Sequence, residues 1–97
     1  MYVVALALDL HLPHSRSLKD KRRVLRPVID GLRHRHHVSV SETDHQDLWQ
    51  RATIGVAVVS GSIGHAEAQL DEIERFVWSC ADVEVAAAQR EWMEFDR

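Results

Sequence analysis

The chain predicts a ferredoxin-like α+β sandwich of order β-α-β-β-α-β, with a four-stranded antiparallel sheet and two helices on one of its faces. Three observations predict it. Apolar residues alternate with period two over four segments, 2–12, 38–45, 49–60 and 82–92, the spacing of strands buried on one side. Between the first and second segments, and again between the third and fourth, they recur at helical spacing. The link between the second and third segments is short, which favours an antiparallel hairpin. Right-handed crossovers then place both helices on the same side of the sheet.

In the first strand, Val4, Leu6, Leu8, Leu10 and Leu12 share one face, and Val3, Ala5, Ala7, Asp9 and His11 the other. After the loop Pro13–Arg16, Ser17 is placed to cap a helix, and Asp20 at its third position suits the helix's positive end. From Leu18 the residues Leu25, Val28, Ile29 and Leu32 form one apolar stripe. Pro27 interrupts the segment, and a proline inside a helix costs about 3 kcal/mol. The stripe keeps phase across Pro27, which predicts one kinked helix; the alternative is a break there. His36 falls on the same stripe at the helix end.

Val38 to His45 alternates and turns polar, as an edge strand does. Thr43 to Leu48 reads as a polar turn. In the run from Trp49 to Ser60, Ile54, Val56 and Val58 face one side, and Trp49, Arg51, Thr53, Gly55, Ala57 and Val59 the other. Ser60-Gly61-Ser62 supplies turn and cap. Ile63, Ala66, Leu70, Ile73 and Val77 then form a second helical stripe to about Cys80, flanked by Glu67, Asp71, Glu72 and Glu74. The last strand sets Val83, Val85 and Ala87 against Glu84, Ala86 and Ala88. The amphipathic tail 91–97 has no assigned place in this scheme.

A length of 97 residues is room for one domain, 1–97, with one core. At 45% hydrophobic and 28% charged residues the chain has the composition of a globular protein and not of a disordered one. Its longest apolar run, Tyr2 to Leu8, is far short of the roughly 20 residues that span a bilayer, and it lacks the flanks of a signal peptide. A lone cysteine, Cys80, forms no internal disulfide, which points to a reducing, cytoplasmic compartment.

The net charge of −3 conceals a dipole. Residues 16–37 carry eight Lys and Arg against Asp20 and Asp30, a local +6, and the rest of the chain carries four against thirteen, a local −9. Such a pattern speaks about partners and not about fold.

Four stretches carry a family resemblance. They are Ser17-Leu18-Lys19-Asp20-Lys21-Arg22-Arg23, Val38-Ser39-Val40-Ser41-Glu42, Asp44-His45-Gln46-Asp47-Leu48-Trp49-Gln50-Arg51-Ala52 and Gly55-Val56-Ala57-Val58-Val59-Ser60. Together they resemble the bacterial YlxP-like family of unknown function over nearly the whole chain. The resemblance implies a ferredoxin-like fold. Genes of that family often lie between those for translation initiation factor two and ribosome-binding factor A, which implies a link to translation or ribosome assembly by association. No catalytic residues come with it. The cluster His34, His36 and His37 is richer in histidine than that family leads one to expect.

Two candidate surfaces follow. Arg16, Lys19, Arg22, Arg23, Arg26 and Arg33 are candidate contacts to RNA or phosphate, with salt-dependent binding through counterion release. Ribosomal RNA or a ribosomal protein is then the expected partner. The competing reading is a solvated charged face, paired with the acidic second helix. The sheet lacks the aromatic pair with which other sheets of this shape stack bases. The uncovered sheet face, with Val3, Ala5, Ala7, Trp49, Arg51, Thr53, Ala57 and Val59, is the candidate interface of a homodimer or a small-ligand regulatory module, because so apolar a face is unusual in water.

Other chemistry is weakly encoded. His45 between Asp44 and Asp47 suggests acid–base work, but no nucleophile or glycine-rich loop accompanies it, and the structural reading is a polar hairpin in which Asp47 pairs with Arg51 and Trp49 covers the open face. The spacing of His34, His36 and His37 is not that of a zinc site. The chain has no asparagine and no anion cradle after its first strand, which argues against an acylphosphatase-type site. One cysteine excludes a Cys-x-x-Cys metallochaperone, and no Walker or Rossmann glycine pattern occurs. The sequence therefore leads to a non-enzymatic protein without cofactor or metal, free of the membrane.

Overall fold

The computed structural model describes residues 1–96. Its elements run β1 (Tyr2–His11), α1 (Leu18–His34), β2 (Ser39–Asp44), β3 (Arg51–Ser60), α2 (Ile63–Trp78) and β4 (Glu84–Glu94). The sheet is antiparallel throughout, in the order β2-β3-β1-β4. This is the α+β ferredoxin-like arrangement that the alternation predicted. No helix is long and apolar enough to cross a membrane.

The even positions of β1 and β3 build the core. Val4, Leu6, Leu8 and Leu10 lie opposite Val58, Val56, Ile54 and Ala52, and all are buried. Leu25, Val28 and Leu32 of α1, with Ala66, Leu70, Ile73 and Val77 of α2, close over them. Each helix starts on a serine whose hydroxyl accepts a backbone N–H three residues on, Ser17 from Asp20 and Ser62 from His65, as N-caps do.

Helix α1 runs through Pro27 without a break, as the unbroken phase of its stripe led one to expect. Other expectations need correction. The second strand is one residue shorter at each end, Ser39–Asp44, since the Val38 N–H turns back to the Leu32 oxygen and His45 takes a left-handed backbone; within it an extra residue at Thr43 shifts the register against β3. Gly55 accommodates that bulge: a Cβ there would stand 2.9 Å from Thr43 Cγ2. The last strand is displaced by two residues, Glu84–Glu94 where 82–92 was expected, and so takes in 91–94 of the tail, pairing Tyr2 with Glu94 and Val3 with Met93; Arg97 lies outside the described residues. A register shift opposite Asp9 and Leu10 leaves Ala86 as the extra residue. Beyond it the faces exchange. Val85 lies opposite Leu10 on the helix side, whereas Ala87 joins Asp9 on the open side.

Candidate functional site

Helix α1 presents three different sides. Its buried side is Leu25, Val28, Leu32 and also Lys21, which is only 2% exposed. On a second side the helix meets α2. A Cβ on Gly31 would stand 2.2 Å from Phe76 Cζ, so the ring lies directly on the glycine. Arg35 stands 5.9 Å from the centre of the same ring, and the His36 ring 5.2 Å from it. The third side carries Lys19, Arg22, Arg26 and Arg33, which fall within about 60° of one another at 100° per residue.

That third side faces away from α2, so the expected pairing of the basic flank with the acidic helix does not form. The carboxylates of α2 have another partner: Asp71 and Glu74 both accept hydrogen bonds from Arg90 of β4. Arg90 is partly buried. Burial acts to lower its pKa, but the hydrogen bonds and charges of the two carboxylates outweigh it and hold the value above the ordinary one. Among the described residues, Arg16, Lys19, Arg22 and Arg26 have no carboxylate within salt-bridge distance. Arg23 does, with Asp20 Oδ1 at 2.8 Å, and Arg33 donates to the backbone oxygen of Val40 at 3.3 Å.

The basic side overlooks a recess of about 450 Å³ between α1 and the end of β2. Leu25 and Ile29 form its apolar part, Arg22, Arg26 and Arg33 line the helix side, and Glu42 and Gln46 stand across from them. Lys21 holds that far wall in place. Its ammonium lies 2.8 Å from Glu42 Oε2 and donates to the backbone oxygens of His45, at 2.6 Å, and Gln46, at 3.5 Å. Buried charge is tolerated when it is paired and hydrogen-bonded in this way. The grip also accompanies an uncommon backbone, since His45 has φ 62°, a left-handed conformation that costs a non-glycine residue about 1–2 kcal/mol. Asp44 Oδ1 accepts from the His45 N–H at 2.7 Å, and the Leu48 N–H closes the turn onto the His45 oxygen.

The run from Asp44 to Arg51 connects β2 to β3 through contacts other than those expected. Asp47 and Arg51 do not pair. Gln50 does the tying: its side chain donates to the oxygen of Ser15 at 3.2 Å, and its own backbone oxygen accepts from Leu12. Trp49 precedes β3 instead of belonging to it. It stands beside His11 and Arg51 at one end of the open sheet face, 53% exposed.

The open face itself is as predicted in its rows. Val59, Val3 and Met93 form one row, Ala57, Ala5 and Glu91 the next, and Gly55, Ala7 and Gln89 a third. Thr53 Oγ1 donates to Asp9 Oδ1 at 2.8 Å, which closes the polar end. With Ser39 and Ser41 opposite Ala57 and Gly55, the middle is a shallow trough of small side chains. Val59 is 65% exposed and Met93 56%.

Sequence reasoning placed the basic flank but missed Lys21. The signal was present: at 100° per residue Lys21 falls in the middle of the arc spanned by Leu25, Val28 and Leu32. Among the described residues no three His, Cys, Asp or Glu side chains converge as a metal site. His34 and His37 are exposed, and only His36 is partly buried, against Phe76.

Comparison with known proteins places these features. Residues 3–90 match the family described as "Protein of unknown function (DUF503)". A relative in Bacillus subtilis (strain 168), "Uncharacterized protein YlxP", is 37% identical over 76 residues, 78% of this chain and 83% of that protein. Among solved structures, the de novo designed protein Foldit4 superposes with a TM-score of 0.52 at 12% identity, covering 98% of this chain and 99% of that one. At that identity the likeness concerns the fold alone.

Proposed function

The chain belongs to the DUF503 family of proteins of unknown function, and from that premise we propose that it is a non-enzymatic cytoplasmic accessory factor of translation or ribosome assembly that binds RNA through the phosphate backbone. The observation that carries this reading is the set of cations on the outer side of α1. Arg22 and Arg26, with Lys19 and Arg16 beyond them, have no carboxylate partner among the described residues, in a chain whose net charge is −3. Asp71 and Glu74 of the acidic second helix, which could have neutralised that row, are engaged by Arg90 instead. An uncompensated row of this kind is what contact with phosphates requires, because each contact releases condensed counterions. Contacts of this type position an RNA without reading its bases.

The test is co-sedimentation with ribosomal subunits at two salt concentrations. The reading expects binding that weakens steeply with salt and is lost in the triple variant Arg22→Glu, Arg23→Glu, Arg26→Glu. Salt-insensitive behaviour, or no co-sedimentation, overturns it.

A second reading concerns the other side of the sheet: two copies joined by their open faces. It is favoured by the contiguous row Val59, Val3 and Met93, whose outer members are more than half exposed. The two readings use opposite sides of the sheet and are compatible. Sedimentation equilibrium would give twice the chain mass, reduced to the monomer by Ala57→Glu; a monomer at high concentration rules the second reading out.

A further inference from the structure

We propose that the recess between α1 and the end of β2 seats one unpaired nucleotide of a single-stranded RNA, its base against Ile29 and Leu18 and its flanking phosphates on Arg22, Arg26 and Arg33. This rests on the reading that α1 binds RNA, and adds which form of RNA and where.

The shape of the surface carries the step. A duplex offers phosphate and sugar on its outside and keeps its bases stacked within, so it has nothing apolar to place in a concavity. The recess is concave, about 450 Å³, within the usual range of sites that enclose a small organic group. It is amphipathic, with Leu18 37% exposed at its end and Ile29 half-buried beside it. Single-stranded RNA is recognised with its bases splayed out onto aromatic rings or guanidinium planes; the recess offers the guanidinium groups of Arg22, Arg26 and Arg33 and, in place of a ring, the aliphatic side chains of Leu18 and Ile29. Extent points the same way. From Arg22 to Arg33 the helix rises only about 16 Å, whereas domains that read duplex RNA by shape span roughly 16 base pairs.

The recess is also preformed. Lys21 fixes Glu42 and the oxygens of His45 and Gln46, and Gln46 Nε2 donates to the Glu42 oxygen at 3.4 Å. The far wall is therefore set before any ligand arrives, which reduces the ordering cost of binding. Within the recess the Lys21–Glu42 pair is neutral overall. Arg22, Arg26 and Arg33 exceed the single opposing Asp30, so the local field favours an anion.

The experiment is a fluorescence anisotropy titration of the full chain with a labelled decanucleotide RNA, single-stranded and then annealed to its complement. The single strand is expected to bind about tenfold tighter than the duplex, near the low end of what one base stacked on an aromatic ring contributes. Ile29→Ala is expected to remove that preference. Leu18→Ala is the second variant, at an exposed position that the core does not need. Equal affinity for the two forms, unaffected by Leu18→Ala but lost in Arg22→Glu with Arg26→Glu, overturns the nucleotide seat and leaves phosphate binding standing. No binding of either form overturns both. Adenosine or guanosine monophosphate competing as strongly as the oligonucleotide shows a free nucleotide as the ligand, and overturns the assignment to an RNA strand.

Discussion

Lys21 and Glu42 meet at 2.8 Å on the side of α1 that faces the core, and the same ammonium holds the backbone oxygens of His45 and Gln46. One side chain thereby joins the first helix, the second strand and the connection to the third. Lys21→Ala leaves the Glu42 carboxylate without its counter-charge and two carbonyls without their donor, and the loss is expected to be about 3 kcal/mol, as for other broken buried pairs. Adding Glu42→Leu removes the stranded carboxylate, so the double variant should be less damaged than the sum of the two single variants. Urea unfolding of the three variants checks this. A Lys21→Ala protein as stable as the parent would show that the contact carries no stability.

Gly31 and Phe76 define the other side of the same helix. Alanine is the better helix former by about 1 kcal/mol, so Gly31→Ala would stabilise an isolated α1. In the folded chain its Cβ would stand 2.2 Å from Phe76 Cζ, and the ring is held by Arg35 and His36. Overpacking of this kind costs about 1–3 kcal/mol. The variant is therefore expected to melt at a lower temperature, with Phe76→Leu in the same chain restoring most of the loss. Thermal unfolding by circular dichroism measures both.

How far the sequence carried the fold depends on how cleanly each element alternates. In the segment 2–12, five leucines and valines at even positions left one reading, and every one of them is buried. Ser17 and Ser62 marked both helix starts. The last strand was harder because Ala86-Ala87-Ala88 offers no contrast between faces, so the bulge at Ala86 has no signature in residue type. The bulge in the edge strand was hidden for a related reason, since the extra residue Thr43 is as polar as its neighbours. Trp49 followed the period of β3 by number alone and lies outside the strand. For the candidate site, charge located the basic flank, but a lysine counted as charge concealed the one cation that packs inward. Spacing on the helix, and not residue type, distinguishes Lys21 from Arg22.

Cys80 lies where α2 ends, its thiol donating to the Phe76 oxygen at 3.3 Å. Burial raises its pKa above the ordinary thiol value, and the positive charge of Arg35 offsets this only in part. The thiolate is the reactive form, so iodoacetamide at mildly alkaline pH should alkylate the folded chain more slowly than the chain in urea. The same shift sets the sign for stability: its contribution is fully present below the pKa of the unfolded thiol and is lost as pH rises through the raised folded value. Equal alkylation rates in the folded and unfolded chains would contradict this.

Pro27 lies inside a helix that continues past it for more than a turn, to His34. The backbone there lacks an N–H to give to the oxygen of Arg23, and the ring crowds the preceding turn. The residue is exposed, so it fills no core position in exchange. Relative to alanine, an internal proline disfavours a helix by about 3 kcal/mol, and its stiffening of the unfolded chain returns at most about 1 kcal/mol. Pro27→Ala should then stabilise the protein by about 2 kcal/mol, read as a higher urea midpoint with an unchanged slope. The basic side of α1 turns away from residue 27, so RNA affinity at fixed salt should stay the same if the helix keeps its course. A stabilised variant with altered affinity would show instead that the proline sets the line along which Arg22, Arg26 and Arg33 are presented.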